Sequence, residues 1–507
     1  MTTFPVNTPL IPLADAEGLE GCVLTYGHFS TIHPGHIRYL KHAAKQGNRL
    51  VVALVGDDVD NKSKQRYQFS QHDRAEGLTL LPMVDAVVLL ADDELPQAVR
   101  KLQPSVLVLG KEFEHNPIPP IVRAIADMRS AGKAVQFHAG DINYASVELL
   151  SSSERELVDQ RRDQFLLACR RQRLTRDCLL DSMQAWRKCN LIVLGDTIVD
   201  QYAACEAVGM SAEAPVVVVR ELQRRNFIGG AAVVASHIRA LGAQCQLVSV
   251  VGIDSTAELV RRELAEREIG DGLVSDTSRP TTFKKRYLVE NQKLFRVSRL
   301  EDHGLDSEVE AQLITKLEQL APAANGIVVS DFVYGVVTNK LLELIGDLAI
   351  RHGLMLFGDL QCSSQVGSIT RFKNFSLLCP NEREARIALQ DKETGLEFLS
   401  RQLISLTFSE RLVMKLGADG FIAYDRNESG ELKSQPFPAL CANPLDVTGA
   451  GDSLLAVMAT GLASGQAMMP TAALACCMAA LAVESMGNVS ITATSLQQKL
   501  FNLWPIL

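Results

Sequence analysis

The sequence predicts an α/β protein made of two domains with largely parallel sheets. Three observations carry that prediction. Apolar runs of strand length (Cys22 to Gly27, Leu50 to Val55, Val106 to Leu109, Leu191 to Gly195) alternate with segments of helical length, the pattern of βαβ units. These runs end in turns bearing glycine or aspartate, at the carboxyl ends of strands where open α/β sheets bind their ligands. A chain of 507 residues also exceeds one ordinary core.

Composition narrows the function classes. With 47% hydrophobic and 22% charged residues the chain reads as globular, and a formal net charge of −8 argues against a nucleic-acid partner while leaving room for a local phosphate cleft. Eleven cysteines contain no C-x-x-C pair and ten histidines show no zinc-like spacing, which fits reduced thiols in a cytoplasm. The start, Met1 to Pro5, shows no secretory signal, and the apolar run Ala472 to Val483 is shorter than the roughly 20 residues a bilayer requires. The expectation is a cytoplasmic protein with no membrane partner.

Residues 1 to 20 contain proline, lack periodicity and read as a loose lead-in. Order begins at Cys22 with a strand to Gly27, a loop over His28 to Ile32, a helix over Pro34 to Gln46 with proline in its first turn, and the strand Leu50 to Val55. In the loop at the first strand's carboxyl end stands His33-Pro34-Gly35-His36. Two imidazoles at a helix start can face one site, and Gly35 admits a ligand to the backbone; two capping or surface histidines fit the same string. No third metal ligand stands nearby.

The stretch Val23 to His36 resembles the opening of the cytidylyltransferase-like nucleotidyltransferase superfamily. The resemblance implies a Rossmann-like nucleotidyltransferase domain over residues 1–150, with His33 and His36 catalytic and Thr25, Tyr26, Gly27 and Gly35 at a nucleoside triphosphate. Fixed donors there would stabilise charge growing on the α-phosphate without a covalent intermediate. Arg66 and Arg74 fall where relatives carry basic residues, and each reads equally as a phosphate ligand or a solvated arginine. Relatives carry Asp at Ser30, a Lys-Gly-Gly-Asp-like sequence around Gly110 to Glu112, and a Ser-Thr-Thr-rich turn where Asn143 to Glu148 keeps one matching hydroxyl, Ser146.

Residues 151–189, from the cap-like Ser151-Ser152-Ser153-Glu154 onwards, interleave arginines with Leu166, Leu167, Leu174, Leu179, Leu180, Met183 and Trp186, and predict one or two amphipathic linker helices. A second α/β domain spans 190–507. Its strand Leu191 to Gly195 leaves into a turn with Asp196 and Asp200, whose carboxylates fit ordinary turn chemistry. Gly229-Gly230 then opens a helix, and Thr281 to Ser298 partly alternates as strands would.

Near the end comes Asp446-Val447-Thr448-Gly449-Ala450-Gly451-Asp452-Ser453. Its glycines leave backbone N–H groups uncovered where a helix starts, an anion site, and Asp452 is placed to act as a general base; a bare Gly-x-Gly-Asp is also an ordinary turn and cap. The full string resembles the signature of the ribokinase-like carbohydrate kinases. That resemblance implies an α/β/α domain with a small β lid, an anion hole at Gly449, Ala450 and Gly451, and Asp452 deprotonating the sugar. It also implies sugar contacts at Asp196, Asp200, Gly229, Gly230 and Arg286, and metal organisation by Asn381 and Glu384.

Gly195-Asp196, Glu213-Ala214-Pro215, Gly252-Ile253-Asp254, Asn291-Gln292, Ser330-Asp331-Phe332 and Pro380 to Glu384 narrow the likeness further. The segments resemble the kinase half of the bifunctional bacterial heptose-7-phosphate kinase and heptose-1-phosphate adenylyltransferase family, with the order of halves reversed. The resemblance implies ATP and Mg²⁺, a sugar phosphate and a nucleoside triphosphate as partners, ADP-heptose as product, and a homo-oligomer paired through the lid. Val233 replaces an Asn of relatives, Tyr334 a Lys, and Asp359-Leu360-Gln361 an Asp-Pro-Lys; Lys284, Lys285, Arg286 and Arg296 remain for a sugar-borne phosphate. These departures leave open another sugar, CTP in place of ATP, or a regulatory or scaffold protein with one inactive site.

Overall fold

The computed structural model describes residues 10–29, 32, 34–57, 69–91, 93–110, 112–115, 118–138, 154–211, 213, 216–290, 292–362, 365–426 and 430–504. The chain divides into two compact units, residues 1–152 with 389–402, and residues 153–388 with 403–507.

In the first unit six parallel strands form one sheet, in the spatial order Leu10–Pro12, Ala86–Leu90, Leu50–Val55, Val23–Gly27, Val106–Gly110 and Ala134–His138. Chain order reverses at Val23–Gly27, which lies between Leu50–Val55 and Val106–Gly110, so this is the switch point where such a sheet opens a crevice. Alternation along the strand sends Val23 to one core, with Tyr39, Leu40 and Leu54, and Leu24 and Tyr26 to the other, with Leu107 and Ile121. The expected lead-in is in part ordered. Leu10–Pro12 pairs with Val87 to Leu89 as an edge strand, the place where a proline costs no ladder bond.

The second unit holds a nine-stranded sheet, in the order Gly270–Ser275, Gln244–Val251, Asn190–Gly195, Gly326–Asp331, Met355–Leu360, Leu377–Leu378, Arg411–Lys415, Phe421–Arg426 and Leu432–Phe437. All pairs are parallel except the last two. Helices Ala450–Ala463 and Met468–Val483 are buried nearly all round, as their unbroken apolar composition requires. Helices Glu154–Arg171 and Arg176–Gln184 pack Phe165, Cys169, Leu179, Met183 and, just beyond them, Trp186 into the same core.

The lid is a four-stranded sheet, ordered Gln292–Arg299, Thr282–Val289, Thr197–Met210 and Val217–Gly230. The pair over Thr281 to Ser298 was legible, but the two 14-residue strands on either side of residue 213 were not. Val217 to Gln223 is exposed along most of its length, so no buried face imposes alternation on it.

Candidate active site

In the second unit the lid, the carboxyl ends of strands Met355–Leu360 and Arg411–Lys415 and the start of helix Ala450–Ala463 line a cavity of about 610 Å³. Two glycines are required by this geometry. Gly230 has φ +61° and a Cβ there would lie 2.2 Å from the Asp196 carbonyl oxygen, while Gly449 has φ +80° and caps the helix. The first intrahelical bond runs from Ser453 N to the Gly449 oxygen at 2.9 Å. Helix geometry therefore leaves the amides of Ala450, Gly451 and Asp452 without an intrahelical acceptor, and all three residues line the cavity.

Asp452 is 5% exposed and accepts a 2.8 Å hydrogen bond from Gln361 Nε2. Burial, reinforced by the negative charge of Asp359, pushes its carboxyl up to about 7, the range a general base needs. Sequence reasoning missed Lys415, whose ammonium bonds both Asp359 oxygens at 2.8 and 2.6 Å and would lie 3.2 Å from a Cβ on Gly451. Burial opposes the charge on Lys415, but Asp359 and Glu384 outweigh it and hold the ammonium protonated. A lysine ending the apolar run Leu412-Val413-Met414 was the available signal.

Of the expected sugar contacts, Asp200, Gly230 and Arg286 line the cavity, and the Arg286 guanidinium bonds Asp200. Asp196 and Gly229 stand behind it. The Asp196 carboxylate accepts the backbone N–H of Phe332 at 2.7 Å and those of Tyr334 and Val336 at 3.4 Å, so it fixes that loop rather than facing a ligand. Asn488 was also missed. Its Nδ2 donates to Asp200 Oδ2 and to the Ile228 oxygen, both at 3.2 Å, and its buried Oδ1 has no hydrogen-bond partner among the described residues.

Asn381 and Glu384 line the cavity but cap each other reciprocally, Asn381 N to Glu384 Oε2 and Glu384 N to Asn381 Oδ1, both at 2.8 Å. No group of three or more metal-ligating side chains occurs among the described residues. Such a donor set suits an ion held through waters and substrate phosphates, as magnesium commonly is, and does not suit an all-protein cage. The replaced positions are accounted for locally: Val233 is buried in helix Ala231–Ala240, and Tyr334 is buried beneath the Lys284 ammonium, 5.0 Å from its ring centroid.

A family model described as pfkB family carbohydrate kinase matches residues 188–494. The chain belongs to that family. The pfkB domain shares its fold with phosphofructokinase-2 from Escherichia coli (TM-score 0.53, 17% identity, 62% of this chain and 99% of that one). A second model, described as cytidylyltransferase-like, matches residues 24–157, so the pfkB domain comes second, the reverse of the usual order in the bifunctional relatives. Bifunctional protein HldE is 27% identical over 319 residues in Desulfatibacillum aliphaticivorans (62% of this chain, 63% of the relative) and 31% over 308 in Geobacter sulfurreducens (60% and 61%). These matches span less than two thirds of those relatives. The D-beta-D-heptose 7-phosphate kinase of Bordetella bronchiseptica is 33% identical over 290 residues, 55% of this chain and 88% of the relative.

In the first unit the crevice holds fewer of the expected groups. His36 is half-buried in the first turn of helix Pro34–Ala44, its ring 5.2 Å from that of Phe29, and Gly35 belongs to the same turn. Thr25 and Tyr26 are buried in the sheet, leaving Gly27 at the crevice edge. Arg74 departs from the expectation of a phosphate ligand. Its guanidinium bonds the His28 oxygen, the Val55 oxygen at 2.9 Å and Asp57 Oδ1 at 2.7 Å, and its side chain is 1% exposed. It ties together the loops that follow the first two strands of the crevice. His33, Arg66, Ser30 and the turn at 143–148 lie outside the described residues, as do residues 151–153.

Proposed function

We propose that the protein makes a nucleotide sugar in two steps. The pfkB site moves the γ-phosphoryl group of ATP to the anomeric hydroxyl of a phosphorylated sugar. The N-terminal site then joins the resulting 1-phosphate to a nucleoside monophosphate drawn from ATP, releasing pyrophosphate. The observation that carries the first step is the buried carboxyl of Asp452 beside the open amides of residues 450–452, a base facing an anion hole.

In the first step Asp452 takes the hydroxyl proton, and the amides with Lys415 behind Gly451 receive the transferred charge. Asn488 Oδ1 accepts from a sugar hydroxyl, supplying the amide that Val233 does not. Lys284 anchors the sugar's own phosphate. It is 3% exposed, lines the cavity and has no ion pair or hydrogen bond among the described residues, only the rings of Phe332 and Tyr334 at 5.3 and 5.0 Å. Cation–π contact returns about 0.5–2 kcal/mol, less than the several that burying a charge costs, so an anion completes this site. Asn381 and Glu384 would hold Mg²⁺ through its waters, and the ion would supply neutralisation of the charge on the ATP phosphates. For the sugar, the name of one relative favours a heptose 7-phosphate, and ADP-heptose results once a separate hydrolysis removes the 7-phosphate.

The lid exposes Val208, Met210, Val217 and Leu222, and we assign this surface to a second copy of the chain. Incubating purified protein with ATP or CTP and a panel of sugar phosphates, with mass spectrometry of the products, tests the whole reading. Sugar bisphosphate and nucleotide sugar are expected with ATP. Formation of neither overturns the assignment in favour of a binding protein.

A further inference from the structure

The lid carries a charged contact at each end of the cavity, one between two of its own strands and one to the loop before the anion hole. At the sugar end, Arg286 on strand Thr282–Val289 bonds Asp200. At the phosphoryl end, Lys293 on strand Gln292–Arg299 reaches the loop that leads into the anion hole. Its ammonium donates to Asp446 Oδ1 at 2.7 Å and to Thr448 Oγ1 at 3.1 Å.

Asp446 is the junction of this loop. The same Oδ1 accepts the Thr448 N–H at 3.0 Å, while Oδ2 accepts the Tyr202 hydroxyl at 2.6 Å and the Gly487 N–H at 3.2 Å. Gly487 precedes Asn488, which holds Asp200. One carboxylate thus joins two lid strands, Gln292–Arg299 and Thr197–Met210, to the loop before the helix and to the segment that holds the sugar-end carboxylate.

The side chain of Asp446 is 1% exposed, whereas that of Lys293 is 40% exposed. Burial alone would push the Asp446 carboxyl up, yet the hydrogen bonds from Lys293, Tyr202 and Thr448 lower it to about 2, so it is an anion at any working pH. Its one direct salt bridge among the described residues is carried on a lid strand. Withdrawing the lid would strip that cation from a buried carboxylate two residues before Thr448 and three before Gly449.

We infer that Lys293 is a positioning residue, which fastens the closed lid to Asp446 and Thr448 and thereby holds residues 449–452 in the geometry that receives the phosphoryl group. Lys293 does not line the cavity. Its effect passes through the loop, so binding of ATP stays as it is while transfer slows. Closure over the sugar and completion of the anion hole become one event, which suppresses transfer of the γ-phosphoryl group to water when no sugar is bound.

The inference rests on the kinase assignment above, and its test separates the two. Lys293→Met and Lys293→Arg are compared with wild type for sugar-phosphate phosphorylation, for ATP hydrolysis without sugar, and for backbone hydrogen exchange over residues 446–453 in ligand-free protein. Because misplacing reacting groups by about 1 Å can cost 10²-fold, Lys293→Met is expected to lower kcat by about 100-fold with KM for ATP unchanged. The fraction of ATP lost to water and the exchange over 446–453 should both rise, and Lys293→Arg should restore much of each. Wild-type kcat in Lys293→Met, or unchanged exchange over that segment, overturns the inference. If wild-type protein phosphorylates no sugar phosphate, the kinase assignment fails while the exchange measurement still decides whether Lys293 holds the loop.

Discussion

Replacing Asp452 by Asn should inactivate the pfkB site and stabilise the protein together, in a manner fixed by pH. The carboxyl is raised from 3.8 to about 7, first by burial and then by the charge of Asp359. Between those values the folded state binds a proton that the unfolded state has released, so this group's contribution to stability falls as pH rises from about 4 and is fully lost above about 7. At about 1.4 kcal/mol per tenfold change in proton affinity, keeping the carboxylate charged at pH 8 costs the fold about 4 kcal/mol as an upper bound. Asparagine is nearly isosteric with the neutral acid, and its oxygen can still accept from Gln361. Asp452→Asn should therefore match wild type near pH 4 and exceed it progressively to pH 8, read by urea unfolding at each pH. Sugar phosphorylation should fall by about 10²–10⁴-fold, the usual worth of a general base. Nucleotidyl transfer from a supplied sugar 1-phosphate should persist. Equal kinase rates in the two proteins, or a stability difference independent of pH, would refute a buried base at this position.

Other residues give sharper contrasts. Gln361→Lys places a cation where Gln361 now bonds Asp452, so the rising limb of the kinase pH profile, expected near 7 in wild type, should move to lower pH; an unmoved limb means residue 361 does not tune the base. Lys284→Met should raise KM at least tenfold for a phosphorylated sugar and leave any turnover of the unphosphorylated sugar unchanged, and an equal effect on both would remove Lys284 from the phosphate site. Arg74→Leu leaves two carbonyls without their shared donor, while the half-exposed Asp57 turns to solvent, a loss of about 1–3 kcal/mol visible as a lowered unfolding transition of the N-terminal unit. Loss of triphosphate binding at unchanged stability would restore Arg74 as a ligand. Leu222→Glu with Val208→Glu should shift sedimentation towards monomer if the lid pairs two copies.

What the sequence disclosed depended on whether backbone or side-chain partners did the work. Gly230 and Gly449 were legible because positive φ and a close backbone approach leave no other residue, and the string around them therefore carries its own geometry. The strands Val23–Gly27 and Asn190–Gly195 were legible because burial on both faces demands continuous apolar residues. Asp196 and Arg74 were assigned to ligands because turn position reveals a polar residue near a site. Whether its hydrogen bonds go to a ligand or to the amides and carbonyls of a loop is settled only by the tertiary fold. Asn488 and Lys415 escaped because they reach the cavity from segments distant in sequence from the residues they support.

The stoichiometry of a single reaction bears most directly on the two-step account. Purified protein given ATP, Mg²⁺ and a heptose 7-phosphate should release one ADP and one pyrophosphate for each nucleotide sugar formed, with sugar bisphosphate appearing first. When Asp452→Asn is supplied with the bisphosphate, it should release pyrophosphate and no ADP. Nucleotide sugar formed by wild type without matching ADP, or ADP release persisting in Asp452→Asn, would contradict the assignment of the phosphorylation step to the Asp452 site.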